Sequence, residues 1–390
     1  MPDVLQGIQS LLIYAGSFVV VLSVVVFVHE FGHFQVARWR GVAIDTFSIG
    51  FGKTLLGWRD KHGVQWKIGA LPLGGYVKFA DDADAMSTGP REKIEDPAVL
   101  AEARKRGLFH AQPLSTRSMV VAAGPLTNFV FSIAAFGLLA FIVGRDVPSR
   151  VDQVSPGSAA ESAGMAAGDV IVAINGQPVD GFDDIQPLVA RSIGEPLQLV
   201  VRRGDADVTL QVTPTPSSAN PDVGVIGVAH TPALIGSERI DPLTAIGHGA
   251  KNTWDIVAQT GAYIGAIFTG KESGDQIAGP LGIVNVSGQV ASSALSAPDA
   301  DLGQKLLLLT LSLLSLAAVL SVAVGIVNLL PIPILDGGHL LFYGIEAVRG
   351  GRPLPPSAQE WAYRAGFAVM ASLFLFATWN DITRLFPGAQ

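Results

Sequence analysis

The sequence predicts a polytopic α-helical membrane protein of about four transmembrane helices, with a membrane-associated β-hairpin or small sheet and an inserted α+β domain. Three observations predict it. Apolar residues fill 49% of the 390 positions and charged ones only 15%, a balance that suits a membrane protein with a water-exposed portion. Val4–Val28, Ser118–Val143 and Leu306–Leu335 carry no charge, and each is long enough to cross a hydrocarbon core of about 30 Å. Between the last two, segment 147–216 turns to short alternating strands and turn residues. Lack of cysteine excludes disulfides, thiolate metal sites and cysteine nucleophiles. A net charge of −7 with no dense basic stripe argues against a nucleic-acid partner.

The N-terminal membrane core is expected over 1–143. Its first span, Leu11–Trp39, contains His29-Glu30-Phe31-Gly32-His33. Residues four apart lie on one helical face, so His29 and His33 can offer two imidazoles to one Zn2+ per chain, with Glu30 beside them to handle protons. A chance match on a soluble helix does not account for the long uncharged run before it, and ionisable groups at membrane depth are functional candidates. The start, Met-Pro-Asp, lacks the positive charge of a secretory signal, and the span is expected to be retained.

Ile44–Gly52 and Val64–Ala80 read as strands of a cytoplasmic-side hairpin over about 44–80, with Gly74-Gly75 as a glycine turn before Tyr76. Two readings stay open: an open strand edge that holds an extended substrate, or a small cytosolic sheet. Asp81–Arg106 is charged and reads as a surface loop plus a solvated helix. The second span opens with Ala123-Gly124-Pro125-Leu126-Thr127-Asn128-Phe129, which suggests close helix packing or a polar contact inside the bundle.

In 147–216, Val151–Val154, Leu197–Arg202 and Val208–Val212 alternate like strands, and Gly168–Gly176 reads as a strand ending in a tight turn. Ser155–Ala160 leads into a short helix, and Phe182–Ser192 forms another. Segment 217–305 is expected to hold a linker, over 217–240, and amphipathic or interfacial helices, including Ile256–Gly270. The C-terminal membrane core, 306–390, takes the third span and a fourth around Tyr363–Asn380.

Lysine and arginine cluster after the first span, before the second and after the third, as Arg38, Arg40, Arg104, Lys105, Arg106, Arg117, Arg349 and Arg352. By the positive-inside tendency those loops are cytoplasmic, and the termini and the inserted domain lie outside. The first span then reaches His29 about 27 Å from Leu11 at 1.5 Å per residue. The third runs the same way and ends in Asn328-Leu-Leu-Pro331-Ile-Pro333-Ile-Leu-Asp336-Gly337. Its prolines break the helix, and Asp336 arrives near the depth of the histidines as a third zinc ligand, leaving the fourth position open for water. His339 is a rival that lies past the turn and reads as structural.

These motifs resemble the site-2 protease family of intramembrane zinc metalloproteases, and within it the bacterial regulator-of-sigma-E protease group. The resemblance covers nearly the whole chain. It implies zinc on His29, His33 and Asp336, Glu30 as general base, and Asn328 and Pro331 positioning substrate backbone. Gly74, Gly75 and Tyr76 would belong to a membrane-reentrant β-loop. Ser155-Pro-Gly-Ser-Ala-Ala and Gly168-Asp-x-Ile-x-x-Ile-Asn-Gly are similar to a circularly permuted PDZ domain. The length from 147 to 240 has room for one such domain, where some members carry two. The implied substrate is a single-span membrane protein already trimmed outside, such as an anti-sigma factor, or a remnant signal peptide, cleaved within the lipid bilayer of the bacterial inner membrane. Two rival classes are a transporter lined by the same residues and a PDZ scaffold with an inactive metal site. An absence of internal repeats opposes the first, and an intact Glu30 opposes the second.

Overall fold

The computed structural model describes residues 2–80, 94, 96–144, 149–179, 181–204, 206–217, 223–229, 239–275, 277–297 and 300–385. Residues 81–93 and 95 of the charged stretch expected over Asp81–Arg106, and most of the linker expected over 217–240, lie outside them. The chain divides into two compact units, 1–138 with 246–390, and 139–245.

The first unit opens with α1 (Pro2–Trp39), which closes on Arg38 in its last turn and on Gly41 at φ 71°. That left-handed residue is a usual helix stop. Strands β1 (Ile44–Arg59) and β2 (Gln65–Phe79) then form an antiparallel hairpin with repeated register shifts. Thr46–Ile49 pair with both ends of β2, at Gln65–Ile68 and at Gly75–Lys78. The hairpin therefore curls rather than lying flat. Its reversal is at Asp60–Val64, where Asp60 accepts from the His62 and Val64 amides and Gly63 takes φ 87°. The expected glycine turn at Gly74-Gly75 is corrected: both residues lie inside β2. Glycine in a sequence signals a turn, but here its lack of a side chain serves close approach. A Cβ on Gly75 would stand 2.8 Å from the Ser48 carbonyl and 3.0 Å from Glu30 Cγ.

Helix α2 (Pro97–Lys105) is capped by Asp96 and precedes α3 (Leu114–Val143). Phe34, Phe47, Phe79, Phe109 and Val120 are buried together and tie the hairpin to α1 and α3. The aromatic contacts there are close, with Phe47 and Trp66 centroids 4.4 Å apart.

The second unit holds β3 (Gln153–Val154), α4 (Ala159–Ser162), β4 (Val170–Ile174), β5 (Gln177–Pro178), α5 (Phe182–Ala190), β6 (Leu197–Arg203), β7 (Ala206–Val212), β8 (Thr215–Pro216), β9 (Gly224–Val225) and β10 (Val228–Ala229). The strand order β5-β4-β6-β7 makes one antiparallel sheet, and β3–β10 and β8–β9 pair separately. Asn175 and Gly176, both at positive φ, turn β4 into β5. Ile171, Ile174, Ile185, Leu199 and Val201 form its dry centre. At the sheet's rim, Asp169 is 1% exposed and accepts from Arg203 Nε and Nη2, both at 2.7 Å.

The first unit resumes with α6 (Pro242–Phe268), α7 (Pro280–Leu295), α8 (Leu302–Leu329), α9 (Asp336–Val348) and α10 (Pro356–Leu385). Among the described residues, four helices are long and apolar enough to cross a membrane: α1, α3, α8 and α10. Helix α6 starts well before the expected Ile256: Asp241 accepts from the Leu243 and Thr244 amides at its start, and Lys251 and Asp255, four apart, pair at 2.6 Å within it. Small residues let these helices touch. Gly32 of α1 meets the Ala123 carbonyl of α3, Gly325 of α8 meets Pro125 and Phe129, and Gly288 of α7 lies under the Tyr14 ring of α1. Val21 and Val25 of α1 are buried against Ala317 of α8.

The Arg203 hydrogen bonds hold the Asp169 carboxyl below its ordinary value. Its contribution to stability is therefore complete above the unfolded carboxyl value of about 3.9 and is lost as pH falls through the lower folded value. Protection factors of the β4, β6 and β7 amides, taken relative to the intrinsic exchange rate at each pH, should fall on acidification below about pH 4. Arg203→Gln should flatten that dependence, and identical acid profiles for the two proteins would remove the pair from the account.

Candidate metal centre

Helix α1 presents His29 and His33 on one face, one turn apart. The facing stripe of α3 has the same spacing: Val120, Gly124 and Asn128. His33 Nδ1 lies 2.8 Å from the Val120 carbonyl. A carbonyl only accepts, so Nδ1 carries the ring proton and Nε2 keeps a free lone pair. Asn128 is fully buried, and its carboxamide lies 3.1 Å from His29 Nδ1. Gly124 sits between the two rings: a Cβ there would overlap the His33 imidazole and stand 2.9 Å from His29 Cε1.

The third group arrives on irregular backbone. Helix α8 stops at Leu329, because Pro331 and Pro333 cannot continue it. Ile334 follows at φ 145°, a costly conformation for a β-branched residue, and Asp336 is the first residue of α9. Three glycines hold this crossing in place. A Cβ on Gly337 would strike the Leu329 and Leu330 carbonyls, one on Gly338 the Ile332 carbonyl, and one on Gly366 of α10 the Pro333 carbonyl.

The three ligand atoms form a nearly equilateral triangle. His29 Nε2 to His33 Nε2 is 3.2 Å, and Asp336 Oδ2 lies 3.2 Å from the first and 3.3 Å from the second. Tetrahedral zinc with bonds of about 2.05 Å separates its ligand atoms by about 3.3 Å. Asp336 Oδ2 is buried and no hydrogen-bond donor satisfies it, as a ligand oxygen facing a cation requires. The donor set, two imidazoles and a carboxylate, also suits zinc. Among the described residues these three, and not His339, make up the group able to hold a metal ion. His339 instead lies with its ring centroid 6.0 Å from that of Tyr363.

Glu30, next to His29, is half-buried, and its side chain lies against β2, beside Gly75 and near the Val77 amide. A cavity of about 400 Å³ opens on this cluster. Of the other expected site residues, Gly75, Tyr76 and Asn328 line it. Asn328 donates to the Val324 carbonyl of its own helix at 3.0 Å. Gly74 lies outside the lining, under the Phe51 ring, and Pro331 is exposed. Across the cavity, Arg117 of α3 grips Glu346 of α9 through two hydrogen bonds of 3.2 and 2.6 Å and lies 4.9 Å over the Tyr343 ring.

Sequence reasoning missed the Val120 carbonyl, the Val77 amide and the contact of Asn128 with His29. The first two act through the main chain and leave no side-chain signature. Asn128 was visible: its four-residue spacing from Gly124 repeats that of the histidines.

A helix bearing His-Glu-x-x-His and completed by a distant carboxylate defines a zinc metalloprotease. The chain belongs to peptidase family M50, the site-2 protease family, whose model matches residues 17–373. It is 42% identical over 380 residues to a provisionally named zinc metalloprotease of Rhizobium meliloti, covering 95% of this chain and 96% of that one. Similarity to the metalloprotease MmpA of Caulobacter vibrioides is 39% identity over 388 residues, covering 96% of each.

Gly124→Ala should lower zinc affinity at least about tenfold in a chelator competition, with helix content unchanged by circular dichroism. Affinity equal to wild type would mean that α1 and α3 can spread without cost to the site.

Proposed function

We propose that this protein is an intramembrane zinc endopeptidase that cleaves within the transmembrane region of single-span membrane proteins. The observation that carries the reading is the ligand triangle with Glu30 beside it, formed by α1 and the first residue of α9, among helices α1, α3 and α8 that are apolar enough to span.

His29, His33 and Asp336 would hold the metal. Zinc, when bound, supplies Lewis-acid polarisation of the scissile carbonyl and makes water acidic enough to attack near neutral pH. Glu30 takes the proton from the attacking water and returns it to the leaving amine nitrogen. A helical substrate must unwind first, because its peptide bonds are shielded. The Gly75–Phe79 end of β2 lines the cavity and pairs with β1 on one side, which leaves an edge for an extended substrate strand. Asn328 forms part of the wall against which that strand lies. Pro331 acts by stopping α8, and Gly74 by seating β2 on Phe51.

The loop charges favour an inner-membrane orientation with the metal near the cytoplasmic side and residues 139–245 outside. In this reading that unit is a PDZ-like domain that excludes substrates with large external portions, so the substrate is one already trimmed, such as an anti-sigma factor or a remnant signal peptide.

In liposomes, wild type should cleave a tagged single-span substrate, and chelator should abolish the cleavage. Glu30→Gln should retain zinc and lose activity about 10²–10⁴-fold. Equal cleavage by both proteins would remove Glu30 from its role.

A further inference from the structure

Asn128 has 0% exposure, and its Oδ1 has no hydrogen-bond partner. Its Nδ2 stands 3.1 Å from His29 Nδ1. A neutral imidazole carries one proton, so the partner of Nδ1 decides what Nε2 can do. If the amide donates to Nδ1, the proton must sit on Nε2. It would then point at the Asp336 oxygen and the His33 nitrogen, and His29 could not be a metal ligand. A half-turn of the carboxamide exchanges its near-isosteric ends. The oxygen then accepts from Nδ1–H, gains the donor it lacks, and leaves the Nε2 lone pair facing the site.

The geometry assigns Asn128 as the positioning residue of His29: its carboxamide oxygen accepts the Nδ1 proton and fixes the tautomer and ring plane that offer Nε2 to zinc. This rests on the zinc reading above. Helix α3 thereby supplies one acceptor to each histidine, the Val120 main-chain oxygen for His33 and the Asn128 side chain for His29. Helix α8 braces the same residue, since the Ser321 hydroxyl donates to the Asn128 carbonyl at 3.2 Å. Hydrogen-bonded partners of this kind typically change metal affinity about 10- to 100-fold when lost.

The test measures zinc dissociation from full-length protein in detergent by chelator competition, for wild type, Asn128→Leu and Asn128→Asp. The expected result is affinity about 10- to 100-fold weaker for Leu, which keeps the volume but has no acceptor, and wild-type or tighter affinity for Asp, which keeps the oxygen. Unchanged affinity in Leu overturns the proposal, and so does an equal loss in Leu and Asp, which would assign the position to packing. Should Asn128→Leu not fold, a histidine-selective ¹⁵N spectrum of metal-free wild type decides: a neutral His29 with its proton on Nδ1 supports the assignment, and one with its proton on Nε2 overturns it. Wild type that takes up no zinc overturns the protease reading, and this assignment with it.

Discussion

Two imidazoles one turn apart on α1 can face a single ion only if the neighbouring helix leaves them room, and Gly124 is where α3 does so. The helices close to contact through Gly32 on one side and Gly124 on the other. Lipid chains are as apolar as leucine, so this approach is driven by packing and interhelical hydrogen bonds more than by expulsion of water. The short separation has a chemical effect: it brings a main-chain oxygen at 120 and a carboxamide at 128 within reach of rings on another helix. A bulkier residue at 124 would undo the packing and the ring placement together.

Asp336 depends on a different device. Between α8 and α9 the chain is not helical, and irregular backbone at membrane depth persists only where protein or a wet cavity surrounds it. The carbonyls of Leu329, Leu330, Ile332 and Pro333 are covered by glycines at 337, 338 and 366. This enclosure holds Ile334 in a conformation it would not choose alone. Asp336 is thus placed by packed main chain, and the Arg117–Glu346 pair further along α9 ties the same helix back to α3.

The parts legible in the sequence were those where chemistry sits in side chains at fixed spacing. His29, Glu30, His33 and Asp336 announced themselves through residue type and through the apolar runs around them. The boundaries were less legible. The fourth span was read as Tyr363–Asn380, but its helix runs Pro356–Leu385, since polar end turns do not look apolar. Helix α9 is absent from the sequence reading because it is too short to span and adjoins the apolar run of α8, and α7 falls within 217–305, where interfacial helices are expected without bounds of its own. Gly74-Gly75 misled because glycine serves both turns and close contacts, and a single sequence does not say which. Contacts made by the main chain, such as Val77 with Glu30, have no residue code at all.

Because His33 and Asp336 stand far apart in sequence, their cluster ties distant parts of the chain together around everything between them. The entropy of closing such a loop grows only with the logarithm of its length, about 0.6 kcal/mol for each doubling. The enclosed unit, 139–245, could therefore shrink, grow or be exchanged during evolution at almost no thermodynamic expense to the metal centre. The architecture separates a catalytic frame that must stay fixed from an inserted domain whose size is free to vary.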